Sequence, residues 1–303
     1  MFLKNKYLLG AVLMASVWTG CSQDDSLHFA KDDNSVFTGS IETQGSRTSL
    51  DGNNISWVIG DELSFFKGNN YNRRYRVSAL NHGTATFVPE SYMQPDETIE
   101  FEGNYAVYPY SSDNSITATG TISAPVPAGY TYESRSSFIS SALMASTSTG
   151  TNFSFKNVQG YLRLRLCAEI PEDYAMVKSV TLTSSSMNLS GTAEIAWDND
   201  GIPVTTIKND SDAGKSLTVT LNTPQSLPSV ASGDYVEFYV PVVPMEFPAK
   251  DVELKITFTD GETYAKKNRN LLTIVRREVT GMKFTVTMDD EFIGDIENPE
   301  EKN

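Results

Sequence analysis

Histidine and cysteine are scarce in this chain of 303 residues: it holds His28 and His82, and Cys21 and Cys167. Two histidines are too few for most metal centres or catalytic triads, and neither has a catalytic neighbourhood in sequence. Two cysteines build neither a disulfide framework nor a Cys-based zinc site. The sequence also lacks a nucleophile elbow, a His-Glu-x-x-His pair, a phosphate-binding glycine loop and a dinucleotide fingerprint. No catalytic, cofactor-binding or metal-ligating residue is therefore assigned, and an enzyme is not expected. Basic residues are in deficit, 24 against 38 acidic ones for a net charge of −14. Such a chain is repelled by phosphate backbones, so nucleic acid is excluded as an expected partner. Helical periodicity is nearly missing too. Only Ser134 to Ser146, where Phe138, Ile139, Leu143 and Met144 cluster, would allow a turn or two. Leu8 to Trp18 forms an apolar run near the start, too short to span a bilayer.

That run follows Lys4 and Lys6 and precedes small residues, the layout of an export signal. The stretch Trp18-Thr19-Gly20-Cys21 resembles the lipobox of lipoprotein signal peptides, with a small residue at the cut and a cysteine to accept lipid, although Trp18 departs from the usual aliphatic residue. Residues 1–20 are then a lipoprotein signal peptide and Cys21 the lipidation site, carrying palmitate-type acyl chains. Each buried acyl methylene contributes about 0.8 kcal/mol, so one chain anchors reversibly and two or more hold firmly. Removing Lys4 and Lys6 moves the net charge to −16, which favours solubility outside the cell. With Cys21 committed to lipid, Cys167 has no cysteine partner within the chain and reads as a small buried or half-buried residue at the end of a strand rather than a reactive thiol.

Beyond a polar linker at 21–34, segment after segment alternates apolar and polar residues, which puts one strand face in a core and the other in water. Ile55, Trp57 and Ile59 do so, as do Leu162, Leu164 and Leu166; Leu217, Val219 and Leu221; Val252, Leu254, Ile256 and Phe258; and Met282, Phe284, Val286 and Met288. Asp51-Gly52, Gly68-Asn69-Asn70, Asp198-Asn199-Asp200-Gly201 and Asp260-Gly261 supply residues that tolerate hairpin turns. Short strands with frequent turns predict an all-β chain of sandwiches rather than βαβ units. A Ser/Thr/Gly-rich link at Ser146 to Thr151 divides it into an N-terminal β-sandwich domain at 35–150 and a C-terminal one at 151–289, followed by an acidic tail at 290–303.

Several strings resemble the fimbrillin, or type V pilin, superfamily, in its fimbrillin-like lipoprotein branch. They are SRTSLDGNNISWVIGDELSFF from Ser46, NYAVYPYSS from Asn104, FSFKNVQGYLRLRL from Phe153, and the later VTLTS, NLSGTAEI, YVEFYVPVVP, ITFTDGETYAKK and GMKFTVTM runs. The resemblance implies two tandem transthyretin-like β-sandwich domains after the signal peptide, and a lipid anchor in the outer membrane at the cell surface. Ser22-Gln23-Asp24-Asp25 is similar to the acidic signal that exports lipoproteins to that surface.

The resemblance further implies a fimbrium or pilus role in cell adhesion. Subunits assemble when a protease cuts after an arginine beyond the first strand and another pilin subunit's strand fills the groove, a form of β-augmentation. Val36 to Thr43 is the candidate first strand and Arg47 the candidate processing site. After Met288 the alternation does not run long enough for a full donor strand, which suits a tip, accessory or minor subunit that accepts a strand without giving one. The alternative is a monomeric surface lipoprotein that binds a host or bacterial surface glycan or protein, with Tyr71, Tyr75, Tyr105, Tyr108 and Tyr110 as a candidate stacking platform. Asp25-Ser26-Leu27 is similar to a three-residue O-glycosylation motif, which makes Ser26 a candidate glycan site. Asp198, Asp200 and Gly201 hint at a calcium loop, but the closing glutamate is absent and a hairpin turn is expected instead.

Overall fold

A computed structural model describes residues 35–42, 56–133, 142–208, 212–287 and 294–297. These residues are all-β, with three short 3₁₀ turns at Pro171–Asp173, Asp212–Lys215 and Val230–Ser232 and no α-helix among them. Strands are numbered in chain order.

The first sheet closes on itself. Its order is β1 (Phe37–Ile41), β10 (Asn152–Asn157), β9 (Met144–Ser148), β5 (Glu100–Tyr108), β2 (Glu62–Asn69), β3 (Asn72–Asn81) and β4 (Thr84–Met93), which returns to β1. Every contact is antiparallel except β1 with β10. Period-two alternation sends Phe65, Tyr75, Phe87, Phe153 and Phe155 inward to one aromatic core. Trp57 joins them from a loop, its ring edge-on to Phe87, Tyr108 and Phe155 at centroid distances of 4.9–5.5 Å.

Two further sheets share a second core and make a sandwich-like pair. One has the order β16 (Val236–Val242), β11 (Gly160–Ala168), β21 (Val279–Val286), β22 (Gly294–Glu297). The other runs β19 (Thr263–Lys267), β18 (Val252–Phe258), β12 (Val177–Ser184), β15 (Ser216–Gln225), β8 (Gly129–Tyr132). Leu162, Leu164 and Leu166 meet Val180, Leu182, Leu217 and Ile256 in that core. Each such side chain contributes about 1.5–3 kcal/mol by leaving water. A fourth sheet, β14 (Pro203–Lys208), β13 (Gly191–Trp197), β7 (Ile122–Val126) and β6 (Ser115–Ile116), lays Ile122, Ala124 and Ile195 on the outer face of the closed sheet, against Phe66 and Val107. This explains the adjacent buried pair Phe65 and Phe66, because β2 is covered on both faces. The small β17 (Met245–Phe247) and β20 (Leu272–Ile274) pair complete the fold.

Four expectations change. Ile55 lies outside the described residues and 56–60 is not a strand: Val58 donates its N–H to Asp61 Oδ2 at 2.8 Å, Gly60 takes φ +98°, and Ile59 is exposed. The candidate helical stretch at Ser134 to Ser146 ends as strand β9, with 134–141 outside the described residues. The polar link at Ser146 to Thr151 is the turn of the β9–β10 hairpin, and both strands stay in the first sheet because Met144, Phe153 and Phe155 are part of its core. Within the acidic 290–303 stretch, Gly294–Glu297 pairs antiparallel with β21.

A buried carboxylate fixes one corner of the second core. Asp251 accepts the hydroxyls of Ser184 and Ser185, both at 2.5 Å. Burial alone would raise its pKa, but the hydrogen bonds from Ser184, Ser185 and Ser186 outweigh it and hold the carboxyl below the usual range. Hydrogen bonds to a charged group contribute about 1.5–3 kcal/mol, so Asp251→Ala is expected to destabilise by about 2–3 kcal/mol in urea unfolding. Because the folded pKa is the lower one, the Asp251 contribution is present above the unfolded value of about 3.9 and is lost as pH falls through the folded value. Acid titration of stability in wild type and variant should converge there.

Candidate functional site

The seat of the first strand is the feature to which a function attaches. In β1, Phe37 and Gly39 face inward and are buried, Ile41 packs on the same core, and Thr38 and Ser40 face out. Phe37 stacks on Phe65 at 4.9 Å and 4°, and lies against Tyr75 and Phe153 at 5.3 and 5.4 Å. Its neighbours come from β2, β3 and β10, so one side chain ties β1 to most of the closed sheet.

Backbone pairing encloses β1 on both edges. Phe37 to Ser40 lie opposite Phe87 to Thr84 on β4, and Thr38 to Ile41 run parallel to Asn152 to Phe155 on β10. Thr38 N–H reaches Thr151 O at 2.9 Å and Glu42 N–H reaches Phe155 O at 2.8 Å. Without β1, both β4 and β10 would have free edges, which exposed strands use to pair with other chains.

Gly39 makes the close approach possible. A Cβ at this position would stand 2.8 Å from Phe87 Cε2 and 2.9 Å from Phe155 Cε2, both on fully buried rings. Gly39→Val is therefore expected to destabilise by about 3 kcal/mol, the upper range for overpacking. Thermal unfolding checks it, and a shift no larger than that of a surface Ser40→Val control would contradict the fit.

The strand ends in an ionic clamp. Glu42 Oε1 accepts from Arg276 Nη1 at 2.6 Å and from Asn157 N–H at 2.8 Å, and Glu42 Oε2 lies 3.2 Å from Arg277 Nη1. Arg276 also donates to Asn157 O at 2.9 Å. The three side chains are only 11–23 % exposed, so water screens the pair much less than on an open surface. Both arginines lie in the turn between β20 and β21, so the clamp joins the first strand to the sheets of the second core. Sequence reasoning missed Glu42. Its only local signal was a charge closing an alternating strand, and its partners Asn157 and Arg276 are 115 and 234 residues away.

The residues singled out from sequence are placed as follows. Cys21, Ser26, His28 and Arg47 lie outside the described residues. The candidate first strand, Val36 to Thr43, contains β1, with Thr43 outside the described residues. Cys167 is buried, its Sγ 3.4 Å from Thr285 Oγ1. His82 sits in the β3–β4 turn at φ +47°. Asp198 Oδ1 accepts the N–H groups of Asp200 and Ile202 at 2.9 and 2.7 Å, which makes a hairpin turn as expected. The five tyrosines form no common platform. Tyr75 and Tyr108 are core residues, and Tyr105 packs on Phe101 with Trp197 nearby. Burial and then the Asp61 carboxylate, 3.4 Å from its hydroxyl, push the Tyr108 pKa up. Half-buried Tyr71 stacks instead on Tyr92 at 5.8 Å and 8°, with the Arg73 guanidinium 5.3 Å from its ring, while Tyr110 lies beside Arg74.

No protein-family profile and no curated protein matches the sequence. Among solved structures, a candidate cell adhesion protein from Bacteroides ovatus is similar at a TM-score of 0.49 and 16% identity, over 88% of this chain and 96% of that one. A tip fimbrial protein from Porphyromonas gingivalis, truncated at its C-terminus, gives 0.33 and 9% over 79% and 93%. A fimbrilin from the same species gives 0.32 and 10% over 84% and 90%. The structural neighbours of this chain thus include fimbrial and candidate cell adhesion proteins of Bacteroides and Porphyromonas.

Proposed function

We propose that this chain is a fimbrillin-like surface protein of two transthyretin-like units, a tip, accessory or minor pilus subunit that assembles by strand exchange and serves adhesion. The observation that carries the reading is β1 itself: a five-residue strand that closes a sheet, paired on both edges and anchored by Phe37. Its departure would leave a groove with two free edges and an aromatic floor, the features that β-augmentation uses for affinity and specificity. The lipobox-like sequence at Cys21 supports export and anchoring to the outer membrane before processing. Arg47 follows β1 closely in sequence, so a cut there would separate the strand and the lipid together from the rest of the chain.

Limited digestion of the mature protein with an arginine-specific protease tests this. Cleavage after Arg47 followed by release of residues 21–47 and growth of oligomers on a sizing column is expected. A chain that resists cutting there, or that is cut and stays monomeric under conditions that loosen β1, would contradict strand exchange. The stacked Tyr71 and Tyr92 beside Arg73 favour a second reading, glycan binding by the uncut monomer, because flat aromatic pairs present faces to sugar rings. Saturable binding on a glycan array that Tyr71→Ala abolishes would support it.

A further inference from the structure

We propose that the end of the closed sheet at Tyr71, Arg73 and Tyr92 binds a neutral sugar ring, stacked on the tyrosines, with Arg73 as donor and Glu100 as acceptor to its hydroxyls. This rests on the glycan-binding reading, names the sugar class for it, and does not depend on strand exchange.

Register brings the parts together. Arg73 lies opposite Phe65 on β2 and opposite Tyr92 on β4. Period two puts it on the face of Tyr75, whose ring belongs to the aromatic core, so Arg73 continues the inward stripe past the last core ring. There it is half-buried, as are Tyr71 and Tyr92. The mouth of a closed sheet suits a small ligand, because side chains from several strands converge on it. The two tyrosine rings lie within 8° of parallel, and the Arg73 guanidinium is 5.3 Å from the Tyr71 centroid.

The platform is fixed before a ligand arrives. Arg73 Nη1 donates to Asn69 Oδ1 at 2.9 Å and to Tyr71 O at 3.2 Å. Asn70 ties residues 97–99 to the β2–β3 turn: its N–H donates to Ile99 O at 3.1 Å, its Nδ2 donates to Glu97 O at 2.9 Å, and its Oδ1 accepts from Ile99 N–H at 2.9 Å. The Tyr71 and Thr98 hydroxyls lie 3.4 Å apart. Groups already ordered in this way lose little freedom on binding.

Charge selects the neutral sugar. Asn69, which holds Arg73, has the exposed Glu100 as its register partner on β5. A guanidinium only donates and a carboxylate only accepts, whereas a sugar hydroxyl does both, so one of each at the same rim serves an uncharged ring. A uronic acid would gain Arg73 but meet Glu100, on a chain whose net charge is −14. Arg74 and Arg76 do not tip this balance, because they pair with Glu62 and Glu90.

Calorimetric titration of the uncut mature protein at low salt tests the proposal. The probes are neutral oligosaccharides of glucose, galactose and mannose, each beside its matching uronic acid oligomer. Saturable binding of at least one neutral series is expected, about tenfold or more tighter than its uronic match. Tyr71→Ala and Arg73→Gln should each weaken it about tenfold, the scale of losing a stacked ring or a charge-assisted hydrogen bond. Glu100→Gln should bring the uronic match to within about threefold of the neutral series. Equal or tighter binding of the uronic series by the unaltered protein overturns the neutral class and leaves the glycan reading standing. No binding of any probe overturns both. Neutral binding that folded Arg73→Gln and Glu100→Gln leave unmoved puts the sugar elsewhere and overturns the site, and the exposed Glu100 carries that comparison even if Tyr71→Ala does not fold.

Discussion

Phe37→Ala is expected to lower the free energy of unfolding by about 3–5 kcal/mol, the range for deleting a buried phenyl ring. The site cannot collapse around the loss. Phe65, Tyr75 and Phe153 are each held by their own strands and by contacts with other rings, so a cavity would remain. The effect should also be local. β1 contributes only five residues to the closed sheet, and the ring is its main apolar anchor. Hydrogen exchange should therefore speed up first along Ala85 to Phe87 and Phe153 to Phe155, where β1 pairs, before the second core responds. A loss below about 1 kcal/mol in urea unfolding, outside the range for a buried phenyl, would mean that Phe37 does not hold the strand in place.

Glu42→Lys is the second large effect. Breaking a buried ion pair costs about 3–5 kcal/mol and an exposed one about 0–1, and this clamp is partly covered. A loss of about 2–3 kcal/mol is expected, because the lysine would leave Asn157 N–H without its acceptor and stand beside two arginines. Glu42→Gln should cost less, since an amide oxygen still accepts those hydrogen bonds. The double variant Glu42→Lys with Arg276→Glu should recover part of the loss, and a double-mutant cycle measures that coupling directly. Strictly additive losses would show that the carboxylate and Arg276 act independently.

How much was legible in the sequence differs between strands and site. Alternation located β11, β15, β18 and β21 because their faces differ along the chain, and Leu162, Leu217, Leu254 and Phe284 are buried where the pattern puts them. It failed at Trp57 and Ile59, where alternation accompanies a loop that inserts Trp57 into the core from outside the sheet. It failed also to show that 115–132 joins the sheets of β13 and β15, since neither a pairing partner nor its distance leaves a local mark. The first strand was visible as Val36 to Thr43; its seat was not.

The sequence by itself determined the chemistry of the chain: all-β patterning, an acidic surface, a lipobox-like start, and a paucity of histidine and cysteine that leaves no catalytic assignment. Only the tertiary structure decided what β1 does. Closure of the sheet depends on β4 and β10 meeting across it, the space at Gly39 is set by two rings on different strands, and the clamp needs Arg276 beside Glu42. Each of these is a long-range contact, which local periodicity does not encode because it records only which face of a strand is buried and never against what.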